Sequence, residues 1–169
     1  MKPITYLLPA AAIILIAATT GKISTEQPAS TKYIPTSSGY IMVLKQGEDV
    51  LSAIEELTSR ERIPSASFSG IGFVDATFGY FNAETKSYEP QKFENVELAG
   101  LNGSIAWQDD KPSVHMHGVA ANKRFEAVGG HLLAATVGNG SVEIYITVYK
   151  QRLLRVKDEA TGANILRLE

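Results

Sequence analysis

The residues best suited to chemistry in this chain are its three histidines, His115, His117 and His131, all within residues 113–137, SVHMHGVAANKRFEAVGGHLLAATV. His115 and His117 lie in a run that alternates as a strand does, so both imidazoles leave the same face of a sheet. That is metal-ligand spacing. His131 follows Gly129-Gly130, where the backbone can turn through conformations closed to other residues. It opens an apolar run, 132–137, able to pair beside the first strand. By spacing alone, the three form either a three-histidine metal site or a set of hydrogen-bonded and solvated strand histidines.

Neutral imidazoles suit Zn, Ni, Co or Fe(II), with zinc first among them, and disfavour Mg and Ca, which take oxygen. The chain has no cysteine, so any metal is held by nitrogen and oxygen. Three protein ligands leave one coordination position open, as in catalytic rather than structural zinc sites. An enzyme would also need an acid or base near that position. The candidate is Glu143, on a strand face with Tyr145 and Thr147 while Val142, Ile144 and Ile146 face the other way. Its other readings are a carboxylate orienting a histidine and a surface residue. Asp75 is a further carboxylate with less to recommend it. No G-x-S-x-G, H-E-x-x-H or P-loop lysine motif occurs. Gly70-Ile71-Gly72 and Gly138-Asn139-Gly140 read as turns.

The elements that must position these residues are mostly strands. A run over 40–46 is apolar on both sides and reads as buried. A helix is expected from 47–49 through about 59, with Val50, Leu51, Ile54 and Leu57 as its apolar stripe, acidic residues at its start, and Pro64 as its stop. Strands follow over 65–70, 74–81, 87–93, 96–98, 101–108 and 114–119, with a polar turn over 82–86 and a hairpin loop over 109–112. The last two, 131–137 and 142–148, would join through 138–140. This pattern predicts an α+β fold, a single domain of mainly antiparallel β-sheet packed with one main α-helix. The 169 residues, 44% of them hydrophobic, supply one good core.

Residues 1–21 carry an apolar run of about 15 residues, short of the roughly 20 that span a bilayer. They read as a signal for export to the periplasm or exterior, or else as an uncleaved N-terminal anchor and the one route to a membrane. Residues 22–39 read as a polar linker, and 151–169 as a tail whose apolar pieces, 152–156 and 165–168, can form a hairpin turning at Gly162.

The chain resembles the PPC domain, the plants and prokaryotes conserved family, over about residues 40–150. The landmarks are the H-x-H pair, Gly129 to Leu132, Gly70-Ile71-Gly72 with the following 74–80, the segment VELAGLNGSI at 96–105, Lys111-Pro112, and Val142-Glu143-Ile144. The resemblance implies an antiparallel α+β domain that assembles as a homotrimer. In prokaryotic members it also implies a metal on the positions matching His115, His117 and His131. Plant relatives add AT-hook motifs, whose Arg-Gly-Arg-Pro core is absent here. With a net charge of −2 and only Lys123-Arg124 near the histidines, nucleic acid is not an expected partner.

Two functions of different classes follow. One is a small exported metal-binding module with room for a small-molecule ligand at the metal; the other is a metal-dependent hydrolase or lyase. The first is preferred, because the ligands are evident and the acid/base apparatus is not. A DNA-binding module, by analogy with the plant relatives, comes last.

Overall fold

The computed structural model describes Met1 and residues 31–168, so the expected export signal and residues 22–30 of the expected linker lie, apart from Met1, outside the described residues. The unit Thr31–Glu169 contains β1 (Tyr33–Pro35), β2 (Gly39–Lys45), α1 (Val50–Arg60), β3 (Ser65–Asn82), β4 (Ser87–Gln108), β5 (Lys111–Ala121), β6 (Ala127–Tyr149), β7 (Leu154–Lys157) and β8 (Asn164–Arg167). Among the described residues no helix is long and apolar enough to cross a membrane.

The helix forms where its signals stand. Asp49 is the N-cap, its carboxylate accepting from the Ser52 amide at 2.8 Å, which satisfies a donor that the first turn leaves free. Val50, Ala53, Ile54 and Leu57 are buried, and they share one apolar cluster with Met42, Leu44, Ile105, Met116, Val142 and Ile144 from the strands. Leu51, expected in the stripe, sits at its edge. The chain leaves the helix at Glu61 and bends through a left-handed Arg62, φ 52°, so the helix has ended before Pro64 is reached.

The strands are fewer and longer than their sequence suggests. The expected breaks at 70–72 and 138–140 are not turns. Both triplets lie inside continuous strands, β3 and β6, where they serve as bulges. Gly72 pairs with Val142 and Val74 with Val137, so β6 spends residues 138–141 opposite Phe73 alone. A bulge increases the local twist, and repeated bulges let strands of 18 to 23 residues coil instead of running flat. β4 likewise runs unbroken through the places where two interruptions were expected.

β3 pairs with β4, β4 with β5, β5 with β6 and β6 with β3, all antiparallel, so these four strands close a circuit. The turn between β4 and β5 is tighter than the expected 109–112 loop: Asp109 and Asp110 alone turn it, both left-handed (φ 49° and 57°), and Lys111 and Pro112 are already in the strand.

Both ends extend the sheet. Residues 33–39, expected within a linker, include β1, which pairs with β2 and packs Tyr33 edge-on against Tyr40. Three residues are too few to show a period. On β2, Met42 and Leu44 are buried, but Val43 is 43% exposed, so the expected burial holds for one face of the strand. The tail forms the expected hairpin, β7 with β8, turning near Gly162. β7 docks on β4 through the Trp107 amide and the Leu153 carbonyl, and the Arg152 guanidinium lies over the Trp107 ring at 4.5 Å.

Candidate metal centre

His115 and His117 stand on β5, opposite Ser104 and Asn102 of β4. The link to His131 is made by residues 122–126. Asn122 accepts from the Arg124 and Glu126 amides through its side chain and from Phe125 through its carbonyl. That turn, rather than the Gly129-Gly130 pair expected to make it, sets β6 beside β5 with His131 directly across from His117. Gly129 and Gly130 lie in the strand. Gly130 has φ +153°, a conformation side chains rarely adopt, immediately before the point where β6 leaves β5 and takes up β3. His131 is the residue at that handover, paired to His117 on one side and Gly79 on the other.

The three imidazoles converge. Their ring centroids are 5.0 to 5.2 Å apart in every pairing, and one ligand atom from each lies within 4.8 Å of the others. The Nε2 atoms of His115 and His117 are 3.2 Å apart, close to the roughly 3.3 Å edge of a tetrahedron with metal–nitrogen bonds of about 2.0–2.1 Å. The protonation states suit ligation too. Burial, then the Arg155 charge, then His117 lower the His115 pKa. For His131, burial, then His115 and His117, then Arg155 hold it down at about 4. Neutral imidazole is the form that binds a metal. The His131 Nδ1 is buried with no hydrogen-bond partner, an unusual state for a polar atom unless something else occupies its lone pair. The residues fit a divalent ion.

Residues without a sequence signal complete the site. Tyr88, at the start of β4, stacks on His131 with centroids 4.5 Å apart and rings 15° from parallel. Gly79 makes room for it: a Cβ there would meet Tyr88 Cδ1 at 2.9 Å and Leu133 Cδ1 at 2.7 Å. Arg155, from the tail, is 6% exposed and donates through Nη2 to Ser104 Oγ at 2.7 Å, directly beside His115 in register. A cavity of about 300 Å³ opens between two of the histidines, the β3–β4 turn and the tail loop, with Phe81, Tyr88, His115, His131 and Arg155 in its wall and Ala163 and Asn164 at its tail side. Lys86, also in that wall, binds the Glu159 carbonyl.

The two carboxylates singled out in the sequence are elsewhere. Glu143 faces outward as expected, but it accepts from the Tyr145 hydroxyl at 3.2 Å and pairs in register with Val43 and Ile71. Along β3, Ile71 and the histidine-side Gly79 are separated by roughly 25 Å of strand at about 3.3 Å per residue. Asp75 accepts from the Asn95 amide at 2.7 Å, next to a bulge.

Comparison with known proteins agrees with this picture. The sequence model of the Plants and Prokaryotes Conserved (PCC) domain matches residues 32–150. No curated protein matches the sequence. Among solved structures, a protein from Ralstonia eutropha JMP134 whose name proposes DNA binding is 50% identical, with a TM-score of 0.80 over 82% of this chain and 96% of its own. A metal-containing protein from Archaeoglobus fulgidus is 29% identical, with a TM-score of 0.69 over 79% of this chain and 94% of its own. A plant- and prokaryote-conserved (PPC) protein from Pyrococcus horikoshii is 26% identical, with a TM-score of 0.70 over 83% and 99%. The family model covers most of the chain and the solved structures share its fold, so this chain belongs to the plants and prokaryotes conserved domain family.

Proposed function

We propose that this protein is a small metal-binding module in which His115, His117 and His131 hold a divalent ion, zinc in the first instance, and leave one position for a small ligand. The observation that carries the reading is the convergence of the three imidazole nitrogens within 4.8 Å on two paired strands. A bound ion would supply a Lewis-acid position there. The protein's own part is to keep His115 and His131 neutral, to hold the His131 ring under Tyr88, and to wall the site with Phe81 and the tail.

Binding is preferred to turnover. Glu143, the candidate acid or base, lies far along the strand from the histidines in the same chain, and among the described residues no carboxylate joins the cluster of possible ligands. Nucleic-acid binding is set aside for this chain despite the name of the Ralstonia protein, because a net charge of −2 provides no basic track for phosphates.

The protein works, in this reading, as an exported homotrimer. Support for export is the short apolar leader in residues 1–21. Support for assembly is an outward apolar strip on the face away from α1, where Val43, Ile71 and Tyr145 are 43%, 53% and 49% exposed in the single chain. Elemental analysis of the purified mature protein, with and without His131→Ala, tests the metal. Metal at unchanged stoichiometry in the variant would remove His131 from the site, and turnover lost with that substitution would replace binding with catalysis.

A further inference from the structure

Arg155 is a buried cation without a counter-ion. Among the described residues no carboxylate pairs with it, its one hydrogen bond goes to the neutral Ser104 hydroxyl, and its buried Nε has no partner at all. An arginine carries five N–H donors in a planar fork, and a buried charge with most of them idle is costly unless something completes it. Lys86, the other cation in the cavity wall, is exposed, donates to the Glu159 carbonyl and has the Asp158 charge near it, whereas Arg155 is buried.

The surroundings compound the imbalance. The cavity wall contains His115 and His131, which are ligands in the reading above, and among the described residues no acidic one. Loading the triad with a divalent ion would add two more positive charges to a pocket that already holds an unpaired guanidinium.

We propose that this cavity is a binding subsite for a small organic carboxylate, with the Arg155 fork as its anchor and the metal's open position beside it. The proposal rests on the three-histidine reading for the metal and on Arg155 alone for the anion. Three features choose the class. A planar guanidinium matches a carboxylate in a two-bond geometry. The volume of about 300 Å³ is at the small end for ligand pockets, and Phe81 and Tyr88 offer an apolar body something to lie against. Inorganic phosphate, compact and more highly charged, has no use for the aromatic walls.

The tail makes this site. Arg155 reaches Ser104 because β7 is fixed to β4 at Trp107 and Leu154, and residues 162–164 of the same hairpin close one side of the cavity.

The test is a ligand-observed NMR titration of the full chain, zinc-loaded and zinc-free, with acetate, lactate and benzoate, with lactamide as the uncharged control and inorganic phosphate as the competing anion. Zinc affinity is measured separately by chelator competition. At least one carboxylate should bind the wild type, with lactamide weaker than lactate by about tenfold or more. Arg155→Met should weaken the carboxylate by about tenfold while zinc affinity stays within about threefold. Arg155→Lys, which keeps the charge and loses the fork, should fall between the two, and it carries the test if the methionine variant does not fold. Carboxylate binding to wild type that is absent, matched by lactamide, exceeded by phosphate, or unchanged in either arginine variant overturns the proposal. Arg155-dependent carboxylate binding by a protein that takes up no zinc would sustain the subsite and remove the metal reading.

Discussion

His117 and His131 are direct cross-strand partners, although residues 118–130 and a complete turn separate them in the chain. Their rings stand nearly perpendicular at 5.2 Å. The pairing makes the approach of these two imidazoles a property of strand register.

His131→Ala should abolish tight metal binding and leave the domain folded, since a β core of this size does not depend on a metal as a zinc finger does. Metal titration, melting temperature and mass, measured on the same preparation, check it. Loss of the folded assembly would make the metal a structural clamp instead.

The metal-free protein should lose stability in mild acid. The His131 pKa is about 4 in the fold against an ordinary 6.5, chiefly through burial. Above 6.5 the folded and unfolded chains both hold it neutral. Between 6.5 and about 4 only the unfolded chain takes the proton, so stability falls as pH drops through that window. Melting temperatures across this range, in chelator, should show the decline, and His131→Phe should flatten it.

Tyr88→Ala should lower metal affinity by about tenfold with little change in fold, because it frees the His131 ring that the stack at 4.5 Å holds in place. Tyr88→Phe retains the ring face and should restore most of the affinity. Equal affinity in all three proteins would reduce Tyr88 to a surface aromatic.

Val43→Asp, on the outward strip beside Glu143, should dissociate the proposed trimer by placing a second carboxylate in an apolar contact. Light scattering of wild type and variant decides it: a wild type that is already monomeric at micromolar concentration refutes the assembly, and an undisturbed trimer moves the interface elsewhere.

Sequence alone determined the family, the α+β class and which three histidines to watch, and it offered the tail hairpin as one possibility. Those rest on local signals: alternation that puts His115 and His117 on one face, acidic residues before an apolar helical stripe, Gly162 at a turn. Tertiary structure decided where the strands do not stop. A glycine pair or triplet reads the same in a turn and in a bulge, and only the partner strand shows that 138–140 lies opposite Phe73 and that Gly130 is in the sheet beside His131. It likewise decided which polar residues meet the histidines. Glu143 has the right chemistry on a strand whose coiled length carries it away from the site, whereas Tyr88 and Arg155, ordinary in their local sequence, are brought in by pairings with residues far along the chain. Local periodicity records which face a side chain takes, while its position along the sheet depends on register, and register is set by contacts between residues distant in sequence.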